Sequence, residues 1–204
     1  GDVSGVKRLR DLKLVAGQDN TTTIYRENRT RFWVDVANTF FTPRLSYERN
    51  RVANFKSPFN QKGVFWDVFC GVGPYTLQIA EKNPSLRCIG TDINEKAIKL
   101  ANKNAALGKG QENAEFFCVD VQKIWDHPIS KTLKRNVTRM VMNLPKQNVS
   151  FLDAIQPAVH KDGCLLHIYQ FNESDCPLKD AREKLQHELD ELDLKLVEIL
   201  HGRV

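Results

Sequence analysis

The second part of the chain, from Val64 onward, alternates short apolar runs of strand length with amphipathic segments of helix length. The runs are VFWDVF, RCIGTDI, AEFFCVD, TRMVMNL, CLLHIYQF and LKLVEIL, and the intervening segments include YTLQIAEK, EKAIKLANKNAAL, VSFLDAIQPAV and LKDAREKLQHELDEL. A strand that is followed by a helix and then by another strand of the same sheet needs a crossover, which makes the strands parallel. The pattern therefore predicts an α/β doubly wound fold with a mainly parallel sheet covered on both faces.

Upstream of this pattern the layout changes. The β-prone pieces TTTIYREN and RFWVDVAN, separated by a polar turn, predict a small antiparallel unit. The stretch TPRLSYERNRVANF predicts a helix with Leu45, Val52 and Phe55 facing inward. The 204 residues suffice for one main domain and an appendage. We therefore divide the chain into a partial β-rich unit, a helical connector and the α/β domain, at 1–42, 43–62 and 63–204.

The excess positive charge lies in the N-terminal part. The chain holds 30 Lys and Arg against 25 Asp and Glu, a formal net charge of +5. Residues 1–60 contain eleven of these bases and six of the acids, so the rest of the chain is balanced. A basic segment beside a neutral domain fits a polyanionic partner, but charge alone fits an ordinary solvated surface equally well.

Other compositional features favour a cytoplasmic protein. No stretch approaches the length of a membrane span, and the first residues lack the layout of a secretory signal. The five cysteines are scattered, with no CxxC or Cys/His pair at metal-ligand spacing. We expect a monomer without bound metal or membrane contact, and the sequence leaves mitochondrial and nuclear pools open.

The loop FCGVGPYT, from Phe69 to Thr76, follows the first apolar run of the α/β domain. In an open parallel sheet, ligands lie outside the carboxyl ends of the strands, and the turn after the first strand is the usual contact. Gly71 and Gly73 would let the backbone approach a ligand, and Pro74 can begin the next helix. Because a tight strand-to-helix turn needs the same residues, the GxG by itself is a weak signal.

The spacing downstream favours a nucleoside-bearing ligand. Asp92 closes the second run, 21 positions after Gly71, where a carboxylate can accept hydrogen bonds from both hydroxyls of a ribose. Dinucleotide sites usually have GxGxxG, but the third position here is Thr76, so S-adenosylmethionine, which has no phosphate, fits better. Asp120 is suitably placed for an adenine amino group, although a surface acid or a helix N-cap explains it as well.

The fourth run ends in NLPK, residues 143–146. At this strand end the amide of Asn143 offers both a donor and an acceptor, and Pro145 fixes the backbone direction beside it. A turn in which Pro145 begins a helix would explain the proline but not the asparagine. Asn-x-Pro tetrads at this position occur in methyltransferases that modify base nitrogens, which favours a nitrogen acceptor.

Together these motifs resemble a known family. FFTPRLSYERNRV, DVFCGVGPYTLQIA, GTDINEKAIKLANKNAAL, CVDV and VMNLPKQNVSFLDAI are similar, in this order, to the class I tRNA (guanine-37-N1)-methyltransferases of archaea and eukaryotes. The resemblance extends from about Arg8 to Ile168. It implies a Rossmann-like class I methyltransferase fold and methyl transfer from S-adenosylmethionine to N1 of guanosine 37, with the anticodon stem-loop of tRNA as partner.

The resemblance also implies roles for individual residues. Those around the cofactor are Phe40, Arg44, Phe69, Gly71, Gly73, Asp92, Ile93, Asn94, Asp120, Val121 and Asn143. Asn143 and Pro145 would line the meeting point of methyl group and base. Glu48 matches the general base, and Arg8, with Arg10 as the alternative, matches the arginine that steadies guanine O6.

The chemistry sets a condition on Glu48. Guanine N1 carries a proton with a pKa of roughly 9, so a base must remove it as the methyl group is attacked. Glu48 therefore needs a raised pKa or a geometry that the substrate completes. Without the resemblance, a surface acid paired with a neighbouring arginine is the simpler interpretation.

The chain departs from the family pattern at both ends, and two alternative functions stay open. Nothing in it resembles the N-terminal domain that reads the outer corner of the tRNA, or the YxPRE-like stretch of the last strand, so either the chain is a fragment or these segments are absent from the sequence. An aminocarboxypropyl transferase of wybutosine synthesis acts on the same tRNA position, and the NLP motif argues for methyl transfer instead. A non-catalytic RNA-binding module would have a damaged cofactor site, whereas Gly71, Gly73, Asp92 and Asn143 are intact.

Overall fold

The structure is a computed structural model that describes residues 3–5, 9–10, 12–59, 62–108, 111–145, 148–170, 177–192 and 194. Its strands are β1 (Val3–Ser4), β2 (Leu9–Arg10), β3 (Thr22–Glu27), β4 (Thr30–Asp35), β5 (Val64–Asp67), β6 (Arg87–Asp92), β7 (Ala114–Cys118), β8 (Val137–Met142) and β9 (Leu165–Ile168). Its α-helices are α1 (Ser46–Asn54), α2 (Pro74–Lys82), α3 (Glu95–Ala105), α4 (Ser130–Leu133), α5 (Leu152–Ile155) and α6 (Pro177–Glu191). Short 3-10 helices are found at Pro43–Leu45, Val121–Asp126, Asn148–Phe151 and Gln156–Ala158.

Strands β5 to β9 form one parallel sheet in the order β7-β6-β5-β8-β9. The strand order reverses between the neighbours β5 and β8, which is the point where open α/β sheets bind ligands. This arrangement confirms the predicted α/β doubly wound fold. The last predicted strand, LKLVEIL, lies outside the described residues from residue 195 onward.

Side chains of the central strand β5 point alternately to the two faces of the sheet. Trp66 packs with Leu133 of α4 and Leu152 of α5 on one face. Phe65 packs with Val52 of α1 and Ile79 of α2 on the other. Every residue of β5 is buried, which explains why the run is apolar almost throughout. In the part of the chain that is described, none of the helices is long and apolar enough to cross a membrane.

Two connections differ from a simple alternation of strands and long helices. Between β7 and β8 the chain forms the 3-10 helix Val121–Asp126 and the four-residue α4, which are too short to leave an amphipathic signal. The segment VSFLDAIQPAV, which reads as one amphipathic stretch, divides into α5 flanked by 3-10 helices. Pro157 in the last of these has no N–H to donate, so the α-helical hydrogen bonding cannot continue through it.

Strands β3 and β4 form the hairpin that the sequence predicts. Asn28 and Arg29 at its turn have positive φ angles of 46° and 70°, as tight two-residue hairpin turns require. Phe32 of the inward face is 0% exposed and packs in one cluster with side chains of α2 and α3. The buried Asn104 of α3 accepts a hydrogen bond from Trp33 N–H at 2.7 Å and donates to Trp33 C=O at 3.2 Å. The outer edge of β4 is therefore paired, and the hairpin packs on the same face of the sheet as α2 and α3.

A buried ion pair joins the hairpin to the helices. Arg49 of α1 donates from Nε and Nη2 to the two carboxylate oxygens of Glu27 at 2.5 and 2.6 Å, and both side chains are 2% exposed. Gln78 of α2 donates to the same carboxylate at 2.7 Å and accepts from Asn28 at 2.9 Å. Arg49 also donates to the backbone C=O of Thr42 at 3.1 Å. Because buried charges are tolerated only when paired, this network requires β3, α1 and α2 to assemble together.

Asp67, at the end of β5, is a buried acid beside the glycine loop. Its Oδ2 accepts a hydrogen bond from Thr76 Oγ1 at 2.8 Å, and its Oδ1 has no hydrogen-bond partner among the described residues. Burial raises the pKa of this carboxyl group from 3.8 to about 7, and the charge of Asp92 acts in the same direction. Thr76, at the position of the third glycine of a dinucleotide motif, therefore serves to hold Asp67.

We expect Glu27→Gln to lower the free energy of unfolding by about 3 to 5 kcal/mol, because it leaves the buried guanidinium of Arg49 without a counter-charge. Urea denaturation followed by circular dichroism measures the change. Glu115→Gln is the matched control, since Glu115 pairs with Arg87 at the surface, where the side chains are 43% and 48% exposed. The control should cost less than about 1 kcal/mol. Equal losses of unfolding free energy in the two variants would contradict a special contribution of the buried ion pair to stability.

The raised pKa of Asp67 should make the free energy of unfolding depend on pH. Between about pH 4 and pH 7 the folded protein retains the proton of Asp67 while the unfolded chain releases it, so rising pH lowers the free energy of unfolding. From pH 5 to pH 7 the wild type should lose about 2 kcal/mol more than Asp67→Asn, which has no proton to release. Urea denaturation at both pH values checks this, and parallel pH dependences of the two proteins would show that Asp67 is ionised in the fold.

Candidate active site

A cavity of about 390 Å³ opens at the carboxyl edge of the sheet, where the parallel strands end. Its wall comes from the segments that follow β5, β6, β7 and β8 and from the segment between β4 and α1. Residues predicted to bind the cofactor that line it are Phe40, Phe69, Gly71, Asp92, Ile93, Asn94, Asp120, Val121 and Asn143. Residues this far apart in sequence come together because the carboxyl ends of parallel strands share one edge.

Gly71 and Gly73 are required in the loop for different steric reasons. Gly71 has a φ of 54°, lines the cavity, and a Cβ there would lie 3.5 Å from the carbonyl oxygen of Phe40. Gly73 has a φ of 86° and lies behind the loop, where a Cβ would come within 2.8 Å of the Phe116 ring. Gly71 therefore allows close approach of backbone at the cavity, and Gly73 makes room for packing between loop and sheet.

The carboxylate of Asp92 is held by backbone donors. Gly71 N–H donates to Oδ2 and Asn94 N–H donates to Oδ1, each at 2.8 Å. A carboxylate oxygen can accept two hydrogen bonds, so the two backbone contacts are compatible with further bonds from a ligand. Two adjacent oxygens fixed in a cavity wall match the spacing of a vicinal diol, which is the chemistry expected of a ribose site.

The side chains of Asn94 and Asp120 both cap helices. Asn94 Oδ1 accepts from Lys96 N–H at 3.1 Å at the start of α3, and its Nδ2 donates to the backbone C=O of Asn38 at 2.9 Å. Asp120 accepts from Gln122 N–H at 3.0 Å at the start of the following 3-10 helix. The N-cap interpretation of Asp120 is therefore right, and it is compatible with a place in the cavity wall. Asn94 ties the segment before Phe40 to the sheet domain.

Aromatic rings form an apolar part of the wall. The rings of Phe69 and Phe151 meet edge to face with 5.2 Å between centroids, and Tyr75 and Arg49 line the cavity as well. Sequence patterns do not point to Phe151, since it lies in a short 3-10 helix where periodicity predicts nothing. Arg49 and Val52 lie on the same buried face of α1. Their spacing is helical, but periodicity marks only apolar residues and so does not single out an arginine.

Glu48 does not line the cavity and is already paired. Arg51, one turn further along α1, donates from Nη2 to Oε1 at 2.6 Å and from Nε to Oε2 at 2.8 Å. Tyr169 donates its hydroxyl to Oε1 at 2.8 Å. The hydrogen bond from Arg51, with help from Tyr169 and against the effect of burial, lowers the pKa of Glu48. The pairing with a neighbouring arginine is thus present, and the raised pKa that a general base needs is absent from this state.

Tyr169 connects Glu48 to the strand end that carries Asn143. Its backbone N–H donates to the C=O of Met142 at 3.1 Å, directly before Asn143. Its ring lies 5.9 Å from that of Tyr75, which lines the cavity. The structure thereby brings the predicted base and the predicted base-binding asparagine to the same edge of the sheet.

Several predicted residues are not part of the cavity wall. Arg44 lies exposed in the 3-10 helix before α1, and neither Gly73 nor Pro145 contributes to the wall. Arg8 lies outside the described residues, and only the backbone of Arg10, in β2, is described. Within the described ranges, no group of three or more His, Cys, Asp or Glu side chains could hold a metal ion.

Comparisons with known proteins agree with this geometry. Residues 23–197 match the model of the TRM5/TYW2 methyltransferase domain. The tRNA (guanine(37)-N(1))-methyltransferase Trm5b of Methanocaldococcus jannaschii is 38% identical over 168 residues, which are 82% of this chain and 45% of the relative. The crystal structure of wild-type Trm5b from Pyrococcus abyssi superposes with a TM-score of 0.79 at 32% identity, covering 100% of this chain and 57% of that one.

A further structure, described as the complex of aTrm5 and tRNALeu, has a TM-score of 0.72 at 31% identity and covers 90% of this chain and 50% of the other. The chain thus spans about half the length of the relatives it matches. The match to the domain model extends from the β3–β4 hairpin past α6 and includes the whole sheet with its cavity. On these grounds the chain belongs to the TRM5/TYW2 methyltransferase domain family.

Proposed function

We propose that this chain transfers a methyl group from S-adenosylmethionine to N1 of guanosine 37 of tRNA, beside the anticodon, with Glu48 as general base. The observation that carries the proposal is the Tyr169 bridge, which holds Glu48 at the strand end of Asn143, next to a cavity with a fixed Asp92 carboxylate. The relative from M. jannaschii is named for this reaction, and aTrm5 is described in complex with a tRNA. A monomeric state and a cytoplasmic location stay expectations from the sequence.

The cavity fits S-adenosylmethionine. The Asp92 carboxylate would accept hydrogen bonds from the ribose hydroxyls, and Phe69, Val121 and Phe151 offer apolar surface for an adenine. Asp120 would accept from the adenine amino group with the acceptor capacity that its capping bond leaves. When bound, S-adenosylmethionine supplies an electrophilic methyl group on a sulfonium sulfur.

The protein's part in the reaction is to remove a proton and stabilise charge. The N1 proton of guanine passes to the Glu48 carboxylate, the N1 electron pair forms the new bond to the methyl carbon, and the electron pair of the broken C–S bond stays on sulfur. Negative charge develops on O6, where the Asn143 amide or the predicted Arg8 would donate a hydrogen bond. Because the bond from Arg51 lowers the pKa of Glu48, that ion pair must loosen when the substrate enters.

The aminocarboxypropyl transferase reaction is the rival within the same family, since the domain model covers both TRM5 and TYW2. Relatives above 30% identity such as the Trm5b proteins are named as guanine methyltransferases, which favours methyl transfer. The mass of the modified nucleoside distinguishes the two reactions. The rival of another class, a non-catalytic module, is disfavoured because Asp92 and its two backbone donors are in place.

We propose the outward face of the hairpin as the surface that contacts the RNA backbone. Arg26 and Arg31 are directly opposite each other in the register, and both are exposed. Like charges at opposed positions destabilise a hairpin, so this pair is more easily explained by an anionic partner than by folding. On the same face Lys103 Nζ lies 3.6 Å from the centroid of the Trp33 ring. Basic side chains beside an aromatic ring suit phosphate groups and bases.

The reaction itself is tested with the intact natural protein, labelled S-adenosylmethionine and a tRNA that carries G37. We expect 1-methylguanosine at position 37. Glu48→Gln should lower the single-turnover rate by about 10²-fold to 10⁴-fold, because it removes the proton acceptor. Asn143→Ala should also reduce turnover more than it weakens cofactor binding, which isothermal titration calorimetry measures.

The matched control is Glu183→Gln on α6, whose side chain is 67% exposed. It should methylate at the wild-type rate. Methylation at another position, an aminocarboxypropyl product, or a Glu48→Gln variant as fast as this control would refute the proposed reaction.

The RNA surface is tested by the double variant Arg26→Gln/Arg31→Gln. It should raise the KM for tRNA about tenfold at physiological salt and reduce the slope of log Kd against log salt by about 1 to 2, because two phosphate contacts are lost. Cofactor affinity should stay unchanged. Lys131→Gln/Lys134→Gln, exposed on the opposite face of the sheet, is the control with the same loss of charge. An equal effect of both pairs would point to net charge instead of a defined surface.

A further inference from the structure

We infer that Tyr169 is a positioning residue for the reaction: its hydroxyl is the contact that fixes Glu48 relative to Asn143 and thereby aims the base at the substrate. This inference rests on the proposed function and assigns a role to a residue that the motifs do not mark. The contacts of Glu48 connect different structural elements.

The ion pair with Arg51 stays within one helix. Glu48 and Arg51 are three residues apart on α1, so their bidentate contact orients the carboxylate relative to α1 alone. The Arg51 and Glu48 side chains are 27% and 17% exposed, so the pair is partly buried, but both of its members belong to α1. This contact cannot place Glu48 against the sheet.

The hydrogen bond from Tyr169 crosses between elements that are 121 residues apart in the chain. Tyr169 directly follows β9, and its own backbone N–H is anchored to Met142 C=O at 3.1 Å. Asn143 is the next residue after Met142. One short path of two hydrogen bonds therefore runs from the Glu48 carboxylate to the strand end that would hold the guanine.

The neighbouring groups keep Tyr169 as the donor of this hydrogen bond. Burial, with the nearby Tyr75 hydroxyl and Glu48, raises the pKa of Tyr169 well above the ordinary value for tyrosine, so its hydroxyl stays a donor. Burial and the charge of Arg139 lower the pKa of the neighbouring His167 to about 3, so that this imidazole is a poor proton acceptor. His167 instead accepts a hydrogen bond from Arg139 Nε at 3.2 Å. The Glu48 carboxylate, which accepts the Tyr169 bond, is the group that the proposed reaction uses as proton acceptor once Arg51 has moved away.

Breaking the Arg51 contact and breaking the Tyr169 contact of Glu48 should therefore affect the reaction differently. When the substrate separates Arg51 from Glu48, Oε2 becomes free to accept a proton, because Arg51 is its donor and Tyr169 uses only Oε1. The Tyr169 bond can persist through this step and keep the carboxylate aligned. Precise alignment of a base matters because displacements of about 1 Å can cost on the order of 10²-fold in rate.

The test is a double-mutant cycle in the intact natural protein with Tyr169→Phe and Glu48→Gln. Tyr169→Phe alone should lower the single-turnover rate of methylation about tenfold or more and leave the affinities for tRNA and S-adenosylmethionine within about twofold. In the Glu48→Gln background the same substitution should cause no further loss, because the hydroxyl acts through the carboxylate. Tyr47→Phe, the same change at the 67% exposed neighbour of Glu48, is the control and should match the wild type.

An equal loss from Tyr169→Phe in both backgrounds would show a general structural role and overturn the inference, as would a Tyr169→Phe enzyme with the wild-type rate. In both cases an active wild type leaves the proposed function standing. A wild type that forms no 1-methylguanosine would refute the proposed function, and the inference with it.

Discussion

The buried ion pair between Glu27 and Arg49 is the interaction on which the rest of the structure depends. It neutralises two charges that water does not reach. Glu27 belongs to the hairpin and Arg49 to α1, and Gln78 of α2 donates a further hydrogen bond to Glu27. Since neither charge is tolerated alone in an apolar interior, the three elements must pack together or not at all. Arg49 also lines the cavity, so the same contact that joins the hairpin to the sheet shapes the candidate active site.

The site itself is a consequence of strand direction. Parallel strands deliver their carboxyl ends to one edge, where the residues that follow them face a common cavity. The local chemistry then uses backbone groups to fix side chains: Asp92 accepts from two backbone N–H groups, while Asn94 caps α3 and holds the segment before Phe40. Most of these side chains are immobilised before any ligand arrives, and such preorganisation favours binding of a nucleoside.

Glu48, the proposed general base, is held in a restrained state. Its carboxylate is half-buried, is paired with Arg51 and has a lowered pKa. A carboxylate in that state is a weak base, so the proposed proton transfer requires the contact with Arg51 to loosen. Under the proposed function, a polyanionic RNA would offer Arg51 competing partners, so that RNA binding and activation of the base would be linked through electrostatics.

The sequence by itself determined the parallel sheet and the common edge of Gly71, Asp92 and Asn143, because apolar periodicity and strand order encode which residues end a buried strand. It also indicated the β3–β4 hairpin through its β-prone pieces and polar turn. Only the tertiary structure decided the long-range partners of the charged side chains, namely that Glu27 pairs with Arg49 across 22 residues and Glu48 with Tyr169 across 121. Charged residues carry no periodic signal, and their partners depend on how whole elements pack, which no local pattern records.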